Sequence, residues 1–190
     1  MADCPTLTTA RLILRPFTID DANAVQRLAG EWDIARYTLT IPHPYEDGMA
    51  EQFIESLQPA FDRGESLALA VATLVDGLIG SIGLNLSRAQ VHGHAELGYW
   101  IGKPYWGRGY ASEASAAVLA YGFTELRLHR VYAEHFPRNR ASGRVLQKIG
   151  MTHEGRLREQ FKRMGVFEDV EMYGILRHEW LARTGGDAHS

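Results

Sequence analysis

The chain has 190 residues, with 20 Lys and Arg against 23 Asp and Glu, for a formal net charge of −3. Hydrophobic residues make up 45% and charged residues 23%, a balance that supports a packed core and excludes a disordered chain. The mildly acidic balance leaves no global basic field, so no specific nucleic-acid partner is expected.

The first residues lack a basic segment followed by an apolar stretch, so no secretory signal is expected. Cys4 is the single cysteine and lies in a tail expected to be flexible. One cysteine excludes an internal disulfide and a Cys-based zinc site, and it fits a reducing compartment. Arg11-Leu12-Ile13-Leu14-Arg15-Pro16-Phe17 alternates apolar and polar residues and predicts a half-buried first strand. Thr18-Ile19-Asp20-Asp21 then supplies an N-cap and first-turn acids for a helix to about Ala29. Tyr37 to Tyr45, with Pro42 and Pro44, reads as a loop. Met49, Phe53, Ile54, Leu57 and Phe61 have helical spacing within a helix over about 46–62, ended by Gly64.

Ser66 to Leu74 and Leu78 to Leu86 are dense in Leu, Ala and Val, and Asp76-Gly77 between them is a hairpin signal. A further strand is predicted over Ala95 to Ile101. Ala114, Val118, Tyr121 and Leu126 mark one face of a helix, and Arg130 to Glu134 a short strand. Asn139 to Ile149 reads as a helix stopped by Gly150, and Leu157 to Arg177 as two strands around Met164-Gly165. Residues 184–190 are expected to fray. No apolar run approaches the roughly 20 residues that span a bilayer, so no membrane partner is expected and the cytoplasm is the expected location. The order implies an α/β (α+β) fold, one domain over 1–190 with its folded part at about 10–180. Its sheet is mixed and mostly antiparallel, with six or seven strands and helices on both faces. Whether the chain is a monomer or a homodimer stays open.

The most chemically informative segment is Ile101-Gly102-Lys103-Pro104-Tyr105-Trp106-Gly107-Arg108-Gly109-Tyr110-Ala111-Ser112-Glu113. A strand feeding a Gly-rich turn at a helix N-terminus presents unpaired amides and a positive dipole end, a site for a phosphate or pyrophosphate. A dinucleotide fingerprint requires Gly-x-Gly-x-x-Gly with an acid about 20 residues further on. Here Ser112 stands at the third glycine, and the distance falls near Arg130. A P-loop requires Ser or Thr after Gly-Lys, but Pro104 follows Gly102-Lys103.

Trp106-Gly107-Arg108-Gly109-Tyr110-Ala111 resembles motif A of the GCN5-related N-acetyltransferase (GNAT) family, Gln/Arg-x-x-Gly-x-Gly/Ala, with Trp106 at the Gln or Arg position. Four further segments resemble the branch of ribosomal-protein-alanine N-acetyltransferases: Thr9-Ala10-Arg11-Leu12-Ile13-Leu14-Arg15, Glu96-Leu97-Gly98-Tyr99-Trp100-Ile101, Asn139-Arg140-Ala141-Ser142 with Leu146-Gln147-Lys148-Ile149-Gly150-Met151, and Asp169-Val170-Glu171-Met172-Tyr173-Gly174-Ile175-Leu176-Arg177. The resemblance spans about Ala10 to Trp180. It implies a GNAT-type sheet splayed between two central parallel strands, and an enzyme that is an acyltransferase for groups other than amino-acyl groups. The donor implied is acetyl-CoA. Gly107, Arg108, Gly109, Tyr110, Ala111 and Ser112, with Trp106 beside them, are the expected pyrophosphate cradle. Trp100 and Ile101 would offer backbone groups to the pantetheine arm, and Asn139 would lie near it.

Acetyl transfer to an amine requires a free amine, a polarised thioester carbonyl and a stabilised thiolate. An α-amino group has a pKa of about 7.7–8.0, so an N-terminal acceptor requires only a modest base. Glu96, on the strand beside the expected cofactor, is the candidate base, with a solvated or salt-bridged strand residue as the alternative. The resemblance carries the acid's role to Ser142; a serine hydroxyl is a poor proton source, so it would hydrogen-bond the sulfur, or be a plain first-turn helix residue. The acceptor would be a protein N-terminal α-amine or a small amine, and the region from Glu31 to Tyr45 is where recognition is expected. A coenzyme A-binding regulatory module without turnover is the alternative function. His92, His94 and Glu96 at alternate positions raise a zinc site, but the segment is expected to begin in a loop where strand alternation fails, and no metal is expected. Trp32, Tyr37, Tyr45, Tyr99, Trp100 and Trp106 could line an acceptor pocket, though most read more simply as core or half-buried aromatics, and Arg156 to Arg163 reads as a solvated strand face.

Overall fold

The computed structural model describes residues 3–185. In chain order the elements are β1 (Leu7–Thr8), β2 (Ile13–Arg15), a 3-10 turn (Ile19–Asp21), α1 (Ala22–Ala29), α2 (Trp32–Ala35) and α3 (Met49–Asp62). Then come β3 (Ser66–Thr73), β4 (Gly77–Asn85), α4 (Ala89–His92), β5 (His94–Ile101), a 3-10 turn (Lys103–Tyr105) and α5 (Tyr110–Thr124). The rest is β6 (Arg130–His135), α6 (Arg140–Lys148), β7 (Thr152–Arg163), β8 (Val166–Leu176) and α7 (Arg177–Thr184).

All eight strands form one sheet in the order β1-β2-β3-β4-β5-β6-β8-β7. Every neighbouring pair is antiparallel except β5 and β6. The mixed, mostly antiparallel sheet is as expected, but the six or seven predicted strands become eight. The added strand is Leu7–Thr8, too short to carry a periodic pattern; it pairs Leu7 with Leu14 and Thr8 with Ile13. The predicted strand over 11–17 shrinks to three residues, because Thr9 turns the chain by accepting the Leu12 amide at 2.9 Å and Pro16 has no amide to pair.

The sheet carries a core on each face. Leu67, Leu69, Ile82, Leu84, Ala95 and Leu97 pack against Val118, Leu119 and Phe123 of α5 on one face. Ala70 and Leu78 pack against Val25 and Leu28 of α1 and Ile54 of α3 on the other. Burying one such Leu or Phe side chain contributes about 1.5–3 kcal/mol. The Arg15 guanidinium bonds both Asp21 oxygens, at 2.7 and 2.8 Å, joining β2 to the turn that starts α1. Burial raises the Asp21 pKa, but the bonds from Arg15 and the Thr18 amide outweigh it and hold the carboxyl below its ordinary range.

Three local expectations are corrected. The short helices α2 and α4 replace expected loop, being too short for hydrophobic periodicity to announce, and the closing helix α7 fills a stretch for which no element was expected. Cys4 is no part of a free tail: it is half-buried against the α5-side core. Leu126 lies beyond the end of α5, since the chain leaves the helix after Thr124. Residue 184 ends α7, and of the predicted frayed tail, residues 186–190 lie outside the described residues.

Candidate active site

The Gly-rich turn opens α5 as its residue types require. Gly107 and Gly109 have φ of 76° and 82°, a region that side chains with a Cβ rarely enter. A Cβ on Gly107 would meet nothing within 4 Å, and one on Gly109 only the Arg11 guanidinium at 3.5 Å, so the space over the turn is open. The first intrahelical bond runs from the Glu113 amide to the Gly109 carbonyl at 3.1 Å. The amides of Tyr110, Ala111 and Ser112 precede it and point out of the helix start. This open concave backbone fits a diphosphate group.

Arg11, which the sequence reading did not single out as a site residue, braces this turn. Its backbone amide and Nε donate to the Glu113 carboxylate at 2.9 and 2.7 Å, and its Nη1 donates to the Arg108 carbonyl at 3.0 Å. Its guanidinium also lies 4.7 Å from the centre of the Tyr110 ring. Burial raises the Glu113 pKa, but the bonds from Thr9 and Arg11 hold it below the usual carboxylate range. The Trp106 indole donates to the Ile101 carbonyl at 2.5 Å and so ties the turn to the end of β5.

β5 and β6 pair only through His94↔Arg130, Ala95↔Val131 and Glu96↔Tyr132. Beyond Glu96 the strands part, while β5 keeps its other edge paired to β4 as far as Ile101. Leu97–Ile101 thus offer an unpaired backbone edge to the gap, which fits an extended ligand carrying amides. The Ile101 side chain is buried and the Trp100 ring packs on the α1–α3 side; the Trp100 backbone pairs with Ser81 of β4 and the Ile101 carbonyl is taken by the Trp106 indole, so of these two only the Ile101 amide is left to face the gap.

Strand alternation sorts the side chains around the gap. Ala95, Leu97 and Tyr99 face α5 and α6, whereas Glu96 and Trp100 face the opposite side. On β6, Val131 and Ala133 face α5, so Tyr132 and Glu134 share the face of Glu96. Burial pushes the Glu96 carboxyl up, with Arg88 pulling it back; burial and then the Glu96 charge push Glu134 up. Glu134 Oε2 is buried without a hydrogen-bond partner. Across the gap, Asn139 caps α6 by accepting the Ser142 amide at 3.1 Å, and the Ser142 hydroxyl lies 2.8 Å from the Tyr99 hydroxyl. A cavity of about 1310 Å³ borders the turn, the parted strands, both carboxylates and Ser142. That exceeds the roughly 300–1,000 Å³ of a typical small-ligand pocket and leaves room for two substrates.

Residues 11–152 match the family profile described as Acetyltransferase (GNAT) domain. The chain belongs to the GNAT acetyltransferase family. It is 32% identical over 176 residues to the uncharacterized N-acetyltransferase p20 of Bacillus licheniformis, covering 92% of this chain and 98% of that protein. The spermidine N-acetyltransferase of Vibrio cholerae, solved in complex with CoA and spermine, superposes with a TM-score of 0.77 at 25% identity, covering 91% of this chain and 99% of that one. The ribosomal-protein-S5-alanine acetyltransferase of Vibrio fischeri shares the fold, with a TM-score of 0.82 at 19% identity over 93% of this chain and 98% of that one.

In this GNAT enzyme the predicted residues Glu96, Trp100, Ile101, Trp106 to Ser112, Asn139 and Ser142 all border the one cavity, except Arg108, which lies at its rim beside Tyr105. Glu134, Tyr99 and Arg11 were missed. Glu134 lies two residues past Tyr132, the register partner of Glu96, and parallel register is not written in either strand alone. The segment over Glu31 to Tyr45 lines the cavity with Tyr37, Thr38 and Tyr45. It is held from outside: Arg163 donates to the Ala35 and Ile41 carbonyls at 2.8 and 2.6 Å, and Arg138 to the Arg36 carbonyl at 2.7 Å. His92 ends α4 rather than continuing β5, with Gly93 at φ 65° between it and His94, so the strand alternation invoked for a zinc triad is broken. Among the described residues no three His, Cys, Asp or Glu side chains gather closely enough to hold a metal ion, and no helix is long and apolar enough to cross a membrane.

Proposed function

We propose that this N-acetyltransferase moves the acetyl group of acetyl-CoA to a primary amine by direct attack, without a covalent enzyme intermediate, and that the described chain acts as a single catalytic domain. The observation that carries the reading is the vertex where β5 and β6 part, with half-buried carboxylates on one face and the Ser142 hydroxyl on the other. The amides of α5 and the turn glycines hold the diphosphate, and the free edge of β5 holds the pantetheine arm. Asn139 Oδ1 is committed to the helix cap, which leaves its amide nitrogen to reach the same arm.

The amine enters from the face of Glu96 and Glu134. Its lone pair forms the new C–N bond, and the amine proton passes to the Glu96 carboxylate, directly or through water. The C–S bond breaks and the sulfur keeps its electron pair, which Ser142 meets with a hydrogen bond; protonation from solvent completes the thiol. The raised Glu96 carboxyl is a better base than an exposed one, which suits an α-amine or another amine of modest basicity. Acceptors supported by the family are a protein N-terminal α-amine or a small amine such as the spermidine of the relative. Thiol release from acetyl-CoA across a panel of peptides and amines tests the reading. Glu96→Gln and Ser142→Ala should both slow release while coenzyme A affinity holds; if neither slows it, the site assignment is wrong.

A further inference from the structure

Tyr99 has no role in the scheme above, yet its hydroxyl makes a side-chain contact with Ser142, at 2.8 Å across 43 residues of sequence. Both residues border the cavity. We infer that Tyr99 is a positioning residue for acetyl transfer: its hydroxyl donates to Ser142 Oγ and thereby turns the Ser142 proton toward the leaving sulfur. The inference rests on the role given to Ser142.

Two hydroxyls at 2.8 Å share one bond, and its direction decides what Ser142 can do. If Ser142 donated, its proton would be spent on Tyr99 and none would face the sulfur. Tyr99 would then have to place its own proton on the Ser142 carbonyl, which lies 3.5 Å away, at the outer limit of a hydrogen bond. If Tyr99 donates, its proton takes the short bond, and the Ser142 proton stays free on the cavity side. A phenol is also the more acidic and hence better donor of the two. Burial pushes the Tyr99 hydroxyl up to about 12, against the pull of the Ser142 bond, so it remains protonated at every working pH. It is a permanent donor, and a permanent donor can fix the polarity of its partner.

The helix side supports the same geometry. The Ser142 amide is engaged by Asn139, whose side-chain and backbone oxygens both lie 3.1 Å away, so the first turn of α6 is set. Backbone capping fixes the serine's backbone and leaves its side-chain torsion and hydroxyl rotor free. Tyr99, from the opposite wall of the gap, removes that freedom. The thiolate of a thiol with a pKa near 8.5 requires a hydrogen bond more than a full proton transfer, and an aimed serine supplies one.

The test is a cycle of Tyr99→Phe, Ser142→Ala and the double variant in the full chain. Thiol release from acetyl-CoA is followed with spermine or an alanine-initiated peptide, whichever turns over faster. Tyr99→Phe keeps the ring and its packing. It should lower kcat about tenfold, as Ser142→Ala does, with KM for acetyl-CoA within about twofold. The double variant should be no slower than Ser142→Ala alone. A slow Ser142→Ala beside a normal Tyr99→Phe overturns this inference and leaves the Ser142 reading standing. Losses that multiply in the double variant also overturn it, since Tyr99 would then act independently. If both single variants are as fast as the parent, the Ser142 reading falls and this inference with it. An unchanged coenzyme A affinity by calorimetry separates a positioning loss from a misshapen site.

Discussion

Glu96 and Glu134 carry different lessons about half-buried carboxylates. Both are pushed up by burial, but only Glu134 also feels its neighbour's charge as a raising influence, and only Glu134 has a buried oxygen without a partner. A base works in its ionised form, so the rate should rise with pH through the elevated carboxyl range and level off above it. Replacing Glu96 with Gln should cost about 10²-fold or more in kcat. The same change removes the like charge beside Glu134 and lowers its titration, so the acidic limb of the residual activity should move to lower pH. A pH profile of kcat for the two proteins checks both the size and the direction. A limb that stays in place would show that Glu134 takes no part in the residual reaction.

At the scale of elements, α5 is the proposed cofactor helix and the segment before β2 is its brace. The left-handed glycines leave the amides bare, while Glu113 in the first turn anchors Thr9 and Arg11. An acid in the first helical turn is normally credited to the helix dipole, yet here it also ties the N-terminal segment to the cradle. Gly109→Ala would force a Cβ into φ 82°, at about 1–2 kcal/mol, or move the turn. We expect KM for acetyl-CoA to rise about tenfold while the acceptor dependence holds, measured by initial rates at varied donor. The cradle was legible because glycine chemistry and helix starts are local: Trp106 to Ser112 are contiguous and their roles follow from backbone geometry. Glu96 and Ser142 were legible through their segments. Tyr99 and Glu134 were not, because what distinguishes them is a partner on another element. The two-residue β1 and the four-residue helices were hidden for a simpler reason, as each is shorter than the period that would reveal it.

For the whole molecule, elements distant in sequence meet at the segment over Glu31 to Tyr45, the proposed site of acceptor recognition. β7 is mostly exposed, and at the tip of its hairpin with β8 Arg163 reaches back to grip the end of α2 and the segment after it through two backbone carbonyls. Arg138, ahead of α6, grips the same segment and pairs with Glu168 of β8. Arg163→Ala removes both carbonyl bonds at once. It should lower kcat/KM for the amine about tenfold and leave coenzyme A affinity unchanged, as read by steady-state kinetics and calorimetry. A parallel loss of coenzyme A affinity would show that the hairpin supports the sheet rather than the acceptor end.

The early parting of β5 from β6 has a consequence beyond binding. A central sheet position normally carries some of the slowest-exchanging amides in a protein, yet Leu97–Ile101 have one open edge in the middle of an eight-stranded sheet. Their gap-facing amides should exchange with deuterated solvent far faster than those of β4, and slow sharply once coenzyme A is added. Bound as proposed, the donor substrate would serve for the length of one turnover as a ninth, removable strand.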